Sequence, residues 1–285
     1  MAEVPDPLSG QNLKSMLLRI GLPLLGGWIL GGLIAGTSQS TTVRAFALGI
    51  PAVLTVAAVG LVMWTARQAR KMRGVAGILG GVATAEDRKA ALEKLEAGYK
   101  DTDPMALFAK AQLLMQEDPR QALPVLEQID LKKVMAATAD EARAQRAMIH
   151  LMLGDVTPAR DLVDGIDVSR HQDPKTRAMM SAVTAEAWAR TGQAQRAQTT
   201  LSIFDPEEAA LEPVKPQLYR ARAYVAANVG DIPGMRRALR KLADQDVRLL
   251  GGFMMKKTHA LLQKEAKKIL EQSGQVPRKM IVQRG

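Results

Sequence analysis

Few residues of this chain have the types and spacing that catalysis needs. The chain contains no cysteine, which excludes thiol nucleophiles, disulfides and thiolate metal sites. Its three histidines, His150, His171 and His259, are too scattered in sequence to indicate an imidazole metal site. No Gly-x-Ser-x-Gly elbow, no phosphate-binding loop ending in Lys-Ser/Thr and no His-Glu-x-x-His motif occurs. The sequence therefore predicts a protein without catalytic residues, cofactor or metal, and an enzyme with an unrecognised site is the minor alternative.

The residues best suited to recognition are three polar side chains spaced four apart, Arg220, Tyr224 and Asn228. This spacing places them on one face of a helix. An arginine beside an aromatic ring and an amide can hold a carboxylate or an acidic segment. Ordinary surface polarity is the alternative, because any exposed helix carries polar residues on one face.

The composition favours helices as the elements that present these residues. Of the 285 residues, 47% are apolar but only 4% are aromatic. Strands draw on β-branched and aromatic residues, so this mixture predicts an all-α fold. The charged fraction of 24% argues against a disordered chain.

Two uncharged runs near the N-terminus predict two transmembrane helices, a hairpin over residues 20–66. Residues 20–43 and 45–66 contain no charged side chain, and about 20 helical residues cross a hydrocarbon core of ~30 Å. The polar residues 37–42 form the predicted turn between the two spans. A signal peptide followed by one anchor is the alternative, although the first run exceeds the ~7–15 apolar residues of a signal sequence.

Basic residues near the ends of these runs predict the orientation in the membrane. Two basic residues, Lys14 and Arg19, precede the first run. The second run is followed by four: Arg67, Arg70, Lys71 and Arg73. The turn between the runs is followed only by Arg44. Because basic flanks stay in the cytoplasm, both termini are expected on the cytoplasmic side of a bacterial inner membrane. Residues 1–19 are then a cytoplasmic tail, and residues 67–84 are a basic, Gly-rich junction.

Glycines in the first run predict close packing of helices. The pairs Gly27 with Gly31 and Gly32 with Gly36 have the four-residue spacing that lets helix backbones approach each other. We expect them to pack the two helices of one hairpin together, and self-association of several hairpins is the alternative. Neither run contains an ionisable residue, whereas transporters and pumps place such residues inside their spans. A transporter is therefore not expected.

Beyond residue 84 the sequence repeats with a period of 37–38 residues. Its breaks are Glu117-Asp118, Gly154-Asp155, Gly192-Gln193 and Gly230-Asp231, separated by 37, 38 and 38 residues. After each break, apolar residues recur with spacings of 5, 4 and 3: Ala122, Leu126 and Ile129; Ala159, Val163 and Ile166; Ala197, Leu201 and Phe204; Met235, Leu239 and Leu242. Spacings of four and three form one stripe of a helix. Each unit is therefore predicted to be a helix, a tight turn and a second helix.

Small residues seven positions before three of the breaks, Ala147, Ala185 and Ala223, complete the pattern. With the Gly-x turn and the apolar series of the second helix, residues 103–245 resemble the tetratricopeptide repeat (TPR) family. The resemblance implies an α-solenoid of about four helix-turn-helix units with capping helices, because a single hairpin cannot bury a face alone. The chain departs from the family in its period, which is about 34 there, and in Arg146 and Arg222, which occupy positions the family prefers apolar. An unrelated stack of α-hairpins is the alternative.

In that family, the first helices of the units line a concave face that receives a partner peptide. The matching positions in this chain are the predicted partner-binding residues: Met148, Met152, Glu186, Arg190, Arg220, Tyr224 and Asn228. The family's carboxylate clamp has Asn where Tyr224 stands, so the resemblance does not imply capture of a C-terminal carboxylate.

The repeat domain is predicted to cover residues 85–272, with a basic tail over 273–285. A lone helix over residues 85–99 is expected to cap its start, and Lys256–Gln272 to cap its end. The layout of a membrane hairpin, a basic junction and stacked hairpins also resembles the HemY-like bacterial membrane proteins.

Most of the net charge of +10 lies in the last fifty residues. A solvated basic face is the ordinary interpretation. The residues expected to contact an anionic lipid surface, if one is bound, are Lys256, Lys257, Lys264, Lys267 and Lys268. Nucleic acid is the least favoured partner, because only Phe253 is present there to stack on bases.

These features together predict a membrane-anchored, TPR-like adaptor that binds partner proteins at the cytoplasmic face of the membrane. Confinement to the membrane would add avidity to such binding. The alternative is a structural subunit of a multiprotein membrane complex. Homo-oligomers formed through the Gly-rich first span are the alternative to packing within one hairpin.

Overall fold

The computed structural model describes residues 21–255 and 257–274, and within them the protein is all-α, as expected from the composition. These residues form twelve α-helices and three 3₁₀ segments, with no strand among them. The chain divides into two compact units, Met1–Asp87 and Arg88–Gly285. The boundary lies close to residue 85, where the repeat domain is predicted to begin.

The first unit contains two apolar helices, α1 (Leu22–Thr37) and α2 (Thr41–Gly80), which pack on each other. Gly31 is the contact point, because a Cβ atom there would lie 2.3 Å from the carbonyl oxygen of Ala47. The Trp28 Nε1–H donates to the Thr55 hydroxyl at 3.0 Å and ties the helices together a second time. A Cβ on Gly27, Gly32 or Gly36 would meet nothing within 4 Å. Within this unit, Gly31 therefore accounts for the close packing.

The structure supports one membrane-crossing helix by length and composition, whereas the sequence predicts two. Helix α2 is long and apolar enough, and few of its apolar side chains are buried. Within the described residues helix α1 spans 16 residues, about 24 Å at ~1.5 Å per residue, and the residues before Gly21 lie outside the described part of the chain. Helix α1 ends at Thr37 and α2 begins at Thr41, so the turn between them lies within the predicted polar stretch 37–42.

The basic, Gly-rich stretch predicted as a junction is helical over most of its length. Helix α2 extends over 40 residues without interruption, and Arg67, Arg73 and Gly77 belong to it. The glycines lower helix propensity but do not end the helix. The non-helical link is confined to residues 81–84, before α3 (Ala85–Gly98).

Four pairs of helices follow α3 in the second unit. They are α4 (Pro104–Met115) with α5 (Pro119–Glu127), α6 (Ala136–Leu153) with α7 (Val156–Val163), α8 (Pro174–Arg190) with α9 (Ala194–Ser202), and α10 (Lys215–Val229) with α11 (Ile232–Gln245). The two helices of each pair pack on each other, and the short turn makes them antiparallel. The first helices also contact one another, α6 with α8 and α8 with α10.

Each predicted break is the turn inside one pair. In three pairs a glycine ends the first helix with a positive φ: 82° at Gly154, 87° at Gly192 and 81° at Gly230. A side chain would be strained in this left-handed conformation, which explains the recurring residue type. In the first pair Asp118 caps the second helix instead, its carboxylate accepting from the Arg120 N–H at 2.9 Å.

The repeated small and apolar positions form the core. Ala122, Ala159, Ala197 and Met235, five residues after the breaks, are all fully buried. Ala147, Ala185 and Ala223 on the first helices are fully buried as well. The period read from the sequence is therefore the period of buried contacts.

The two arginines that depart from the repeat pattern have a structural role. Arg146 on α6 donates to the carbonyls of Leu126 and Ile129, where α5 ends. Arg222 on α10 donates to the carbonyls of Leu201 and Phe204, where α9 ends. Terminal carbonyls of a helix lack partners inside the helix. Each guanidinium therefore caps the preceding pair.

Thr184 occupies the same repeat position on α8, and its buried hydroxyl has no hydrogen-bond partner among the described residues. Thr184→Val keeps the shape and removes an unpaired polar group. We expect it to raise the free energy of unfolding by about 1 kcal/mol. Chemical denaturation of the two proteins measures the difference, and a destabilised variant would show that the hydroxyl has a partner in solution.

The last part of the unit differs from the predicted trailing helix. A 3₁₀ segment, Val247–Phe253, follows α11, and the final helix α12 (Ala260–Gln272) begins later than the predicted start. Lys256 and the tail from residue 275 onward lie outside the described residues.

Candidate partner-binding site

A cavity of about 220 Å³ lies in the second unit between the first helices of the last three pairs. Helix α6 contributes Met148 and Met152, α8 contributes Glu186, and α10 contributes Arg220. The 3₁₀ segment Val247–Phe253 closes one side with Leu249 and Phe253. The cavity therefore lies on the first helices, where the resemblance to the TPR family led us to expect a partner-binding face.

Helical spacing brings these side chains to one place. Met148 and Met152 are four apart on α6, as are Glu186 and Arg190 on α8, and residues four apart share a helix face. Helix α8 is buried along most of its length because α6 and α10 cover it from either side. Glu186 is thereby held inside the array, 4% exposed.

Glu186 is neutralised by two arginines. Its carboxylate accepts from Arg220 Nε at 2.9 Å and Nη2 at 3.1 Å, and from Arg190 Nη1 at 2.9 Å. Arg190 Nη1 also donates to the carbonyl of Leu151 at 2.9 Å. A buried charge is tolerated only when paired and hydrogen-bonded, and this carboxylate meets both conditions.

Burial alone would raise the pKa of Glu186, but the charges and hydrogen bonds of Arg220 and Arg190 outweigh it, and the pKa lies below its ordinary value. Burial likewise opposes the charged form of Arg220, yet Glu186 raises the pKa of that guanidinium. Both groups are therefore ionised at neutral pH. The cluster of Glu186, Arg190 and Arg220 carries a net charge of one positive.

Tyr224 supports this cluster from inside the protein. Its ring lies 5.3 Å from the ring of Phe253, and the guanidinium of Arg190 lies 4.7 Å from its centroid. Burial, followed by the charge of Glu186, raises the pKa of the Tyr224 hydroxyl. Tyr224 is 1% exposed, so it positions the arginine and does not face solvent.

The structure brings together only part of the predicted binding face. Met148, Met152, Glu186 and Arg220 line the cavity, and Arg190 lies behind them. Arg220 and Tyr224 do not form a joint polar site with Asn228, whose side chain is exposed and donates to the Tyr224 carbonyl at 2.8 Å. Phe253 covers Tyr224, which explains why helix spacing alone overstated its exposure.

The segment Val247–Phe253 is the part of the site that sequence reasoning missed. It has no helical periodicity, and its one signal is the pair Gly251-Gly252. A Cβ on Gly252 would lie 2.9 Å from Arg220 Nη1, so a larger residue at this position would require the guanidinium to shift.

Two of the basic residues predicted to contact anionic lipid have an acidic partner within the fold. Lys257 pairs with Asp155 at 2.9 Å, and Lys267 lies 3.7 Å from Glu271. Lys264 and Lys268 are exposed on α12, and Lys256 lies outside the described residues. Several charges of this region are therefore used within the fold.

A second ionic cluster ties α6 to the 3₁₀ segment Val168–Arg170. Asp140 is fully buried and accepts from Arg143 and Arg170, each at 3.0 Å. Its partners belong to neighbouring segments of the fold, which indicates a stabilising role. Across the described residues, no group of three or more His, Asp and Glu is arranged to hold a metal ion.

Comparison of the chain with protein-family models, curated proteins and solved structures gave no significant match.

Proposed function

We propose that the protein is a membrane-anchored adaptor whose helical pairs form a TPR-like solenoid that binds a partner protein. The observation that carries this proposal is the cavity on the first helices, with a guanidinium at its wall, in a chain that also has a helix long and apolar enough to cross a membrane. Stacked helical hairpins commonly present such a face to peptides. The proposed role is to hold the partner at the membrane.

We place the solenoid on the cytoplasmic side, because the basic residues at the end of the apolar part of α2 favour that side. Helix α1 would lie beside α2 in the membrane as the second helix of the hairpin, since the two pack on each other. The chain contains no cysteine, so single-cysteine variants report their position without background.

Labelling of intact bacterial cells with a membrane-impermeant maleimide tests this topology. We expect Ser40→Cys, in the turn between α1 and α2, to be labelled in intact cells. We expect Ser202→Cys, exposed at the end of α9, to be labelled only after lysis. Labelling of Ser202→Cys in intact cells would reverse the orientation, and release of the wild type by carbonate would refute the anchor.

Affinity purification of the full-length protein from membranes tests the adaptor role. We expect one partner to be retained by the wild type and lost from Arg220→Met. Arg237→Met is the matched control, because Arg237 is exposed on α11 and does not line the cavity of the Glu186 cluster. A partner retained equally by all three proteins would refute binding at the cavity.

That last result would favour the second candidate, a structural subunit of a membrane complex. A specific observation supports this candidate: the large apolar side chains of α1 and α2, such as Leu30 and Val56, are exposed. Helices of other subunits would then cover them.

A further inference from the structure

The size of the cavity limits what it can hold. About 220 Å³ is below the ~300–1,000 Å³ of pockets that enclose small-molecule ligands and cofactors. At ~30 Å³ per water molecule, the space holds about seven waters. It therefore fits one large side chain rather than a whole metabolite.

The walls are apolar apart from one positively charged edge. Among the lining residues only Glu186 and Arg220 are ionisable, and the remainder are mainly Met, Leu, Val and Phe. Glu186 is matched by Arg190 as well as by Arg220, so one positive charge is left over. An anion beside an apolar group complements these walls.

Arg220 is the member of the cluster that a ligand can reach. Its side chain is 22% exposed, against 6% for Arg190. Its Nε and Nη2 atoms bind Glu186, and its Nη1 makes no hydrogen bond among the described residues. This nitrogen is available to an incoming carboxylate.

A polar group of the lining favours a peptide over a free acid. The Oε1 atom of Gln217 is buried and accepts no hydrogen bond within the described part of the chain. A buried acceptor without a donor is costly. The N–H group of a peptide backbone is a donor that an aliphatic carboxylate does not have.

We propose that the cavity holds one large apolar side chain of the partner, while Arg220 pairs with a neighbouring acidic side chain of the same segment. This inference rests on the proposed adaptor function and states the chemistry of its partner.

Selection from a random peptide library on the full-length protein in nanodiscs tests the proposal. We expect the enriched peptides to place Asp or Glu next to Leu, Met or Phe. Enrichment of basic peptides, of purely polar peptides or of none would overturn it.

Two variants test whether the enriched peptides bind in this cavity. Arg220→Met leaves the neutral pair of Glu186 and Arg190, and we expect binding about tenfold weaker or more. Met152→Glu adds a negative charge at the lining and should weaken binding similarly. Met135→Glu is its control, because Met135 is exposed away from the cavity. Equal affinities of the wild type, Arg220→Met and Met152→Glu would overturn the assignment.

Octanoate, a carboxylate without a peptide group, distinguishes the source of the ligand. We expect it to bind far more weakly than an enriched peptide, measured by calorimetry, and comparable affinity would overturn the peptide proposal. Failure of this ligand chemistry can be distinguished from failure of the adaptor function. If Arg220→Met loses the natural partner while no acidic, apolar peptide is enriched, the adaptor stands and this ligand chemistry is wrong.

Discussion

Replacing Glu186 with Ala is expected to lower the free energy of unfolding by about 3–5 kcal/mol. The substitution leaves Arg190 and Arg220 close together, and both guanidiniums lose the carboxylate that neutralises them. Arg190 is 6% exposed and cannot turn to solvent. Denaturant unfolding followed by circular dichroism measures the loss.

Glu208→Ala is the matched control, since Glu208 is exposed and should change stability by less than about 0.5 kcal/mol. A second comparison separates the charge from the packing. Combining Glu186→Met with Arg190→Met and Arg220→Met removes all three charges, and we expect it to recover most of the lost stability. If the single substitution at Glu186 costs no more than the control, the cluster does not hold the array together.

The same carboxylate makes stability depend on pH. Because the pKa of Glu186 is lower in the folded protein than its ordinary value, its contribution is full above the ordinary range of about pH 4–5. It is lost as the pH falls through that range toward the folded pKa. The slope of stability against pH in acid should therefore be smaller in the variant without the three charges.

Arg222→Met is expected to destabilise the protein by about 2–4 kcal/mol, and Arg146→Met by a similar amount. Each guanidinium donates to two carbonyls at the end of the preceding helix: Arg146 to Leu126 and Ile129, Arg222 to Leu201 and Phe204. Methionine has a similar length but no donor, so these carbonyls lose a partner in a partly buried place. Denaturant unfolding of each variant gives the difference.

Arg237→Met is the control, because Arg237 is exposed on α11. The two sites are far apart in sequence and share no partner, so their effects should add. If Arg146→Met or Arg222→Met lost the partner in affinity purification without losing stability, these arginines would instead be assigned to partner binding.

The sequence alone determined the all-α class, the four turns and the buried stripe of each pair. These features follow from local rules: a glycine at a positive φ ends a helix, and residues such as Ala159 and Val163 recur with the spacing of one helix face. The turn residues and the apolar stripe recur in every unit, so the repeat period was enough to identify them. The resemblance to the TPR family, and not the period itself, pointed to Met148, Met152, Glu186 and Arg220, which line the cavity.

Only the tertiary structure determined which of these side chains are exposed and which are paired or covered by other segments. Glu186 and Arg220 are 34 residues apart, and only the packing of α8 against α10 joins them. Phe253 covers Tyr224 through a segment that has no helical pattern of its own. Spacing along one helix determines which face of the helix a side chain lies on. Whether that side chain is exposed or paired depends on the segments that the rest of the chain packs against that face.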